Sequence, residues 1–285
     1  MIISIIAIAQ VSSTKVKVEF ITPKIVRVQW SADGSLPGNN TGVCVYERQK
    51  VKSPEIIVKN EGGCISFIDR KTGKTLLRDV ARESEPVVQE RIVYDDATAR
   101  MEETANGKVT VKDIIRRDTI GESTRYISHF SCPDTKALYG LGAHMEDYMN
   151  LVGKTMWLTQ HNLKVMIPVL MSPQGYGLLF DAGCAMKYSS DGKGFTMQME
   201  AAKQIDYYFI KGDRMEDIVE GYRYLTGRVQ LLPLYAFGYI QSKERYVSSD
   251  DLINTLREYR RRHVPVDMIV QDWNYWPEGW GYMKM

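Results

Sequence analysis

Only four cysteines and four histidines are spread through 285 residues, and neither type is grouped. Cys44, Cys64, Cys132 and Cys184 contain no Cys-x-x-Cys pair and have no histidines at zinc spacing, so four buried free thiols are read in preference to a disulfide framework or a zinc module. His144 and His161 are too far apart for a helical metal pair and are read as satisfied structural histidines. No metal and no cofactor is expected. An excess of one charge is also missing: 37 basic residues face 35 acidic ones, and no basic cluster is interleaved with aromatics, which excludes a nucleic-acid partner. No apolar run after the first residues is long enough to cross a membrane, so no membrane partner is expected. There is no internal repeat and no low-complexity segment.

What is present is the composition of a globular protein, 44% apolar and 25% charged, enough for a buried core in one or two domains. Ile2 to Ala9 is apolar and ends in small residues that suit signal peptidase, although it lacks a basic start. Residues 1–10 are therefore read as the stub of a secretory signal, with an amino-terminal strand as the alternative. The first reading implies a periplasmic or secreted protein. Asn39-Asn40-Thr41 is a glycosylation sequon that carries no information by itself.

From Lys15 onward the hydrophobic period is two. Val16, Val18 and Phe20, then Ile25, Val28 and Trp30 across Thr22-Pro23, alternate with polar residues as half-buried strands do. Short strands are further predicted at 43–46, 55–58, 64–69, 74–77, 108–115, 124–131, 166–171, 176–180, 196–200 and 205–210. Hairpin turns are predicted at Arg70-Lys71-Thr72-Gly73 and Ser172-Pro173-Gln174-Gly175. So many short strands with almost no helix predict a β-sandwich over residues 11–228. The period then changes. Met215, Ile218, Val219, Tyr222 and Leu225 form a helical stripe, with Asp213 as N-cap, Glu216 as its capping-box partner and Gly227 past the end.

Residues 229–285 read differently again. Ala236 to Gln241 and Met268 to Asp272 are short apolar strands joined by a helix from about Ser249, the βαβ unit of a parallel sheet. A barrel of eight such units needs roughly 250 residues, so this stretch is expected to be the start of an incomplete barrel. Its strand edge and apolar faces call for missing barrel or an oligomeric partner to cover them.

In such a barrel reactive groups sit where strands end. Glu244 follows the first strand and Asp272 closes the second. Glu244 is equally readable as a surface acid paired with Lys243 or Arg245. Asp272 ends an apolar strand and opens an aromatic loop, which favours a binding role over packing. Trp273, Tyr275, Trp276, Trp280 and Tyr282 crowd this loop, and flat apolar faces with polar edges suit sugar rings; the alternative is a core cluster of the missing barrel. Tyr139-Gly140-Leu141-Gly142 resembles a phosphate loop only superficially, because the third glycine of the dinucleotide pattern is absent.

Taken together, Tyr139-Gly140-Leu141-Gly142, Ile167 to Asp181 with its Gln174-Gly175-Tyr176-Gly177 turn, Phe237-Gly238-Tyr239, and Val266 to Trp276 make the chain resemble the front part of glycoside hydrolase family 31, the α-glucosidase and α-xylosidase family. The resemblance implies a mostly β chain: a sandwich like that of galactose mutarotase, then the first strand, helix and strand of a TIM (β/α)8 barrel. It implies hydrolysis of α-linked oligosaccharides or glycosides with retention, and it places Asp272, Trp273, Trp276 and, approximately, Glu244 around the sugar at the cleavage point. The family's nucleophile and acid/base would both lie beyond Met285, so no catalytic residue is expected in this chain, which should be inactive alone. The competing reading is a non-catalytic carbohydrate-binding sandwich.

Overall fold

The computed structural model describes residues 16–37, 41–104, 107–132 and 134–272. The chain divides into two compact units, one running to Arg228 and one from Val229.

Among its described residues the first unit holds fifteen strands and one α-helix. They are β1 (Val16–Thr22), β2 (Ile25–Trp30), β3 (Ile56–Glu61), β4 (Cys64–Asp69), β5 (Thr75–Tyr94), β6 (Arg100–Thr104), β7 (Gly107–Val111), β8 (Ile114–Ser131), β9 (Tyr139–Ala143), β10 (Thr155–Leu158), β11 (Val165–Ser172), β12 (Tyr176–Phe180), β13 (Met186–Ser190), β14 (Gly194–Ala202), β15 (Ile205–Lys211) and α1 (Met215–Thr226). Six strands pair in the order β1-β2-β15-β12-β11-β9 and seven in the order β10-β13-β14-β8-β5-β4-β3, while β6 and β7 form a separate pair. The two large sheets close on each other through alternating inward residues, as the period-two pattern requires. Phe67 on β4 stacks on Phe209 of β15 with ring centroids 4.2 Å apart, and Phe130 on β8 meets Tyr207 of β15 edge-on at 5.4 Å.

Strand β15 is buried along all seven residues. Tyr207 and Phe209 face the sandwich core, while Tyr208 and Ile210 join Ile25, Val169, Leu179, Ile218 and Leu225 in a second core beneath α1. The helix thus covers the outer face of the six-stranded sheet. It begins one residue later than the sequence suggested. Asp217, not Glu216, accepts the Arg214 backbone N–H at 2.9 Å, and Asp213 instead accepts from Lys211 Nζ at 2.8 Å.

Both predicted hairpin turns are present. Asp69 accepts from the Lys71 N–H and the Thr72 hydroxyl in one, and Gly175 N–H donates to the Ser172 carbonyl in the other. Residues 43–46 are a correction: they form no strand, and Val45 N–H donates instead to the Leu225 carbonyl at the end of α1. The strands predicted at 74–77 and 124–131 are the ends of much longer ones, β5 and β8, which pair from Arg78↔Ser131 to Tyr94↔Ile114 and project well past their sheet neighbours.

In the second unit, β16 (Ile240–Lys243) and β17 (Met268–Gln271) are parallel and joined by α2 (Ser249–Arg261). The helix matches expectation: Ser248 Oγ accepts the Asp251 N–H, acids occupy its first turn and arginines its last, complementing the helix dipole. The strand predicted at 236–241 starts later than expected. Pro233 opens a short 3₁₀ turn over Leu234–Phe237, and the ladder begins only at Ile240. The architecture is therefore a mostly β sandwich followed by one strand-helix-strand, with open sheets and no closed barrel among the described residues.

Candidate functional site

Because β16 and β17 are parallel and Lys243 lies opposite Gln271, their carboxyl ends coincide, and the next residue on each strand is Glu244 and Asp272. The structure thus brings the two predicted carboxylates to one end of one ladder. Glu244 is exposed and Asp272 is half-buried. Lys243 reaches toward α2, its Nζ lying 3.8 Å from Asp251 and 5.3 Å from the Tyr246 ring centre. Trp273 and Trp276, with the rest of the aromatic loop, lie outside the described residues, as do Met1 to Gln10 and the two asparagines of the sequon.

A polar network missed in the sequence sits at the same ladder. Gln241 Oε1 accepts from the hydroxyls of Tyr239 and Tyr259, each at 2.6 Å, and its Nε2 donates to Tyr246 Oη at 3.3 Å. Bonding to Tyr239, with some desolvation, raises the Tyr259 phenol above its usual range. Tyr246 is buried, and its carbonyl accepts from Gln271 Nε2 at 3.4 Å, so the loop after β16 is tied to the end of β17. Spacing gave one signal for this, since Tyr239 and Gln241 stand two residues apart in the stretch that reads as a strand; Tyr259 is brought in only by the return of α2.

Chemically, this arrangement presents a strand-end carboxylate able to accept hydrogen bonds from hydroxyls, braced by a tyrosine-glutamine network. Among the described residues no group of three histidine, cysteine or acidic side chains could hold a metal. The reading of four buried thiols is corrected in part: all four cysteines are free, but only Cys132 is fully buried, and Cys44, Cys64 and Cys184 are half-buried.

The glycine motif in the first unit has a structural cause. At Gly140 and Gly142, φ is +108° and +102°, and a Cβ would fall 2.3 Å from the Val169 carbonyl oxygen and 2.0 Å from that of Val165. These glycines let β9 lie tightly on β11. The reading of His144 as a satisfied histidine is corrected: its Nε2 is buried with no hydrogen-bond partner among the described residues. His161 is exposed, in a bridge to Lys164.

Residues 229–285 match the model of the glycosyl hydrolases family 31 TIM-barrel domain. An α-xylosidase of Saccharolobus solfataricus is 31% identical over 96% of this chain and 37% of its own length. A family 31 α-xylosidase from Xanthomonas citri superimposes with a TM-score of 0.72 at 19% identity, covering 94% of this chain and 44% of that one. A family 31 α-xylosidase from a soil metagenome, complexed with xylose, gives 0.68 at 24% identity, with 92% and 40% covered. The chain therefore spans well under half the length of these relatives. The family resemblance read from the short motifs runs through both units.

Proposed function

We propose that this chain, similar to glycoside hydrolase family 31 along both of its units, forms the sandwich and the first barrel segment of a retaining glycosidase for α-linked sugars, with α-xylosides as the leading substrate class. One observation carries the reading: within the segment that matches the family barrel, two parallel strands end together at Glu244 and Asp272. Asp272 accepts hydroxyl hydrogen bonds from the sugar at the cleavage point, Trp273 and Trp276 stack on its C–H face, and Glu244 borders the pocket.

Retention needs a nucleophilic carboxylate and an acid/base about 5 Å apart. We assign both to barrel strands outside this chain, whose two strand-end acids serve binding. The exposure of Leu231, Leu234, Phe237 and Ile240 supports a requirement for further barrel or an oligomeric partner as cover. The test is turnover of aryl α-xylosides and α-glucosides by this chain alone, where none is expected. Hydrolysis abolished by Asp272→Asn in the same chain would overturn the assignment.

A further inference from the structure

The first unit has a cavity of about 250 Å³ on the outer side of the six-stranded sheet, beside the residues that follow β12 and the turn from β14 to β15. Asp181, Gln204 and Asp206 line it, with Thr41, Gly183 and Ala202. Asp206 is already saturated. Its carboxylate takes Arg27 Nε and Nη2, Gln29 Nε2 at 3.2 Å and Gln204 Nε2 at 3.0 Å, and it is 2% exposed.

That saturation decides what remains. With the Gln204 amide nitrogen held by Asp206, its Oε1 is left as a buried acceptor with no donor among the described residues. Asp181, 6% exposed, takes the Thr41 hydroxyl on Oδ1 but has no partner for Oδ2 among the described residues. Two buried acceptors without donors in one cavity call for a molecule that brings donors, since a buried acceptor left unpaired is costly.

We infer that this cavity of the first unit is a further binding site for a small neutral polyol, namely one monosaccharide ring whose adjacent hydroxyls donate to Asp181 Oδ2 and Gln204 Oε1. The volume is roughly eight times the ~30 Å³ share of one water, too large for a bare ion. The donor set is also wrong for a hard divalent cation, which takes six to eight oxygens, because Arg27 already neutralises Asp206. Ala202 and Gly183 give part of the wall an apolar character that suits a sugar's C–H face. The choice of a sugar among polyols rests on the glycosidase reading; the need for a donor-bearing ligand does not.

Binding of D-xylose and D-glucose to the full chain, followed by saturation-transfer NMR and calorimetry, tests this, with calcium chloride as the ion control. Saturable sugar binding is expected, weakened roughly tenfold or more by Asp181→Asn. Gly183→Phe should weaken it as much without unfolding the chain, because a side chain at Gly183 enters open space. Should Asp181→Asn fail to fold by circular dichroism, Gly183→Phe decides alone. Asp272→Asn should leave intact the component of binding that Gly183→Phe removes. Sugar binding lost in Asp272→Asn but kept in Gly183→Phe would overturn the second site while upholding the strand-end one. Binding that depends on Gly183 alone would support the cavity and count against the strand-end reading. Absence of saturable binding by either sugar, or calcium binding that Asp181→Asn removes, would overturn the inference.

Discussion

Arg27 holds Asp206 through two contacts, Nε to Oδ1 at 2.9 Å and Nη2 to Oδ2 at 2.5 Å, with both side chains almost sealed from water. The pair links neighbouring strands β2 and β15 on the sheet face that α1 partly covers, and Arg27 also lies over the Tyr208 ring. Removing one member of a buried pair strands the other charge. Arg27→Met is therefore expected to destabilise the first unit by about 3–5 kcal/mol, read as a lowered urea midpoint at constant slope. The double variant Arg27→Met with Asp206→Leu should recover much of that loss. A double variant no more stable than the single one would show that the pair itself supplies the stability.

Gly142 is the tightest point of the β9–β11 contact, and its φ of +102° is closed to most L-residues. Gly142→Ala should cost about 1–3 kcal/mol for the backbone conformation alone, and the clash with the Val165 carbonyl adds to it. Hydrogen exchange should show the loss locally, as faster exchange of amides in the β9–β11 ladder. Unchanged protection there would mean that the motif's glycines serve something other than close packing.

These two sites show how much was legible in the sequence. The sandwich strands were, because each has one face in the core and so alternates; the βαβ segment was, because caps and proline punctuate it. The long β5–β8 arm was not. From Glu83 to Tyr94 it is exposed or half-exposed on both faces, so burial imposes no period on its residues. The opposite failure occurred at residues 43–46, a short apolar run of which Cys44 and Tyr46 pack beside α1 and Tyr208 with no ladder formed. Asp272 and Glu244 could be placed at strand ends from the sequence, but the Gln241 network could not, since it joins residues 18 positions apart through tertiary contact. The cavity at Asp181 was equally invisible, being assembled from segments more than 100 residues apart.

Burial pushes the Cys44 thiol up to about 12, and the Asp181 carboxylate pushes in the same direction. The thiolate is the reactive form, so at pH 8 Cys44 should be alkylated by iodoacetamide more than about a hundredfold slower than a free thiol of pKa ≈ 8.5. The rate should keep climbing as pH rises past about 10, where a free thiol has levelled off. Asp181→Asn removes a negative charge and should speed the reaction at fixed pH. Peptide mass spectrometry of Cys44 after timed labelling reads both effects, and a plateau by about pH 10 would contradict the assigned environment.

The second unit should be the less stable part of the chain when hydrogen exchange is followed residue by residue. Among its described residues only Tyr246 and Val266 are fully buried, and α2 buries none of its thirteen residues completely. A helix of that length draws most of its stability from packing, and a two-stranded parallel ladder has little of its own. Amides of β16, β17 and α2 are expected to exchange through openings on the order of 1–2 kcal/mol, while those of β2, β12 and β15 follow global unfolding. Adding the remaining barrel of a family 31 relative, as a covalent fusion or a separate chain, should slow exchange in β16 and β17 selectively, because their apolar faces then acquire cover. Protection in β16 and β17 already equal to that of β15 in this chain alone would mean that the unit is self-sufficient, and the case for an external cover would fall with it.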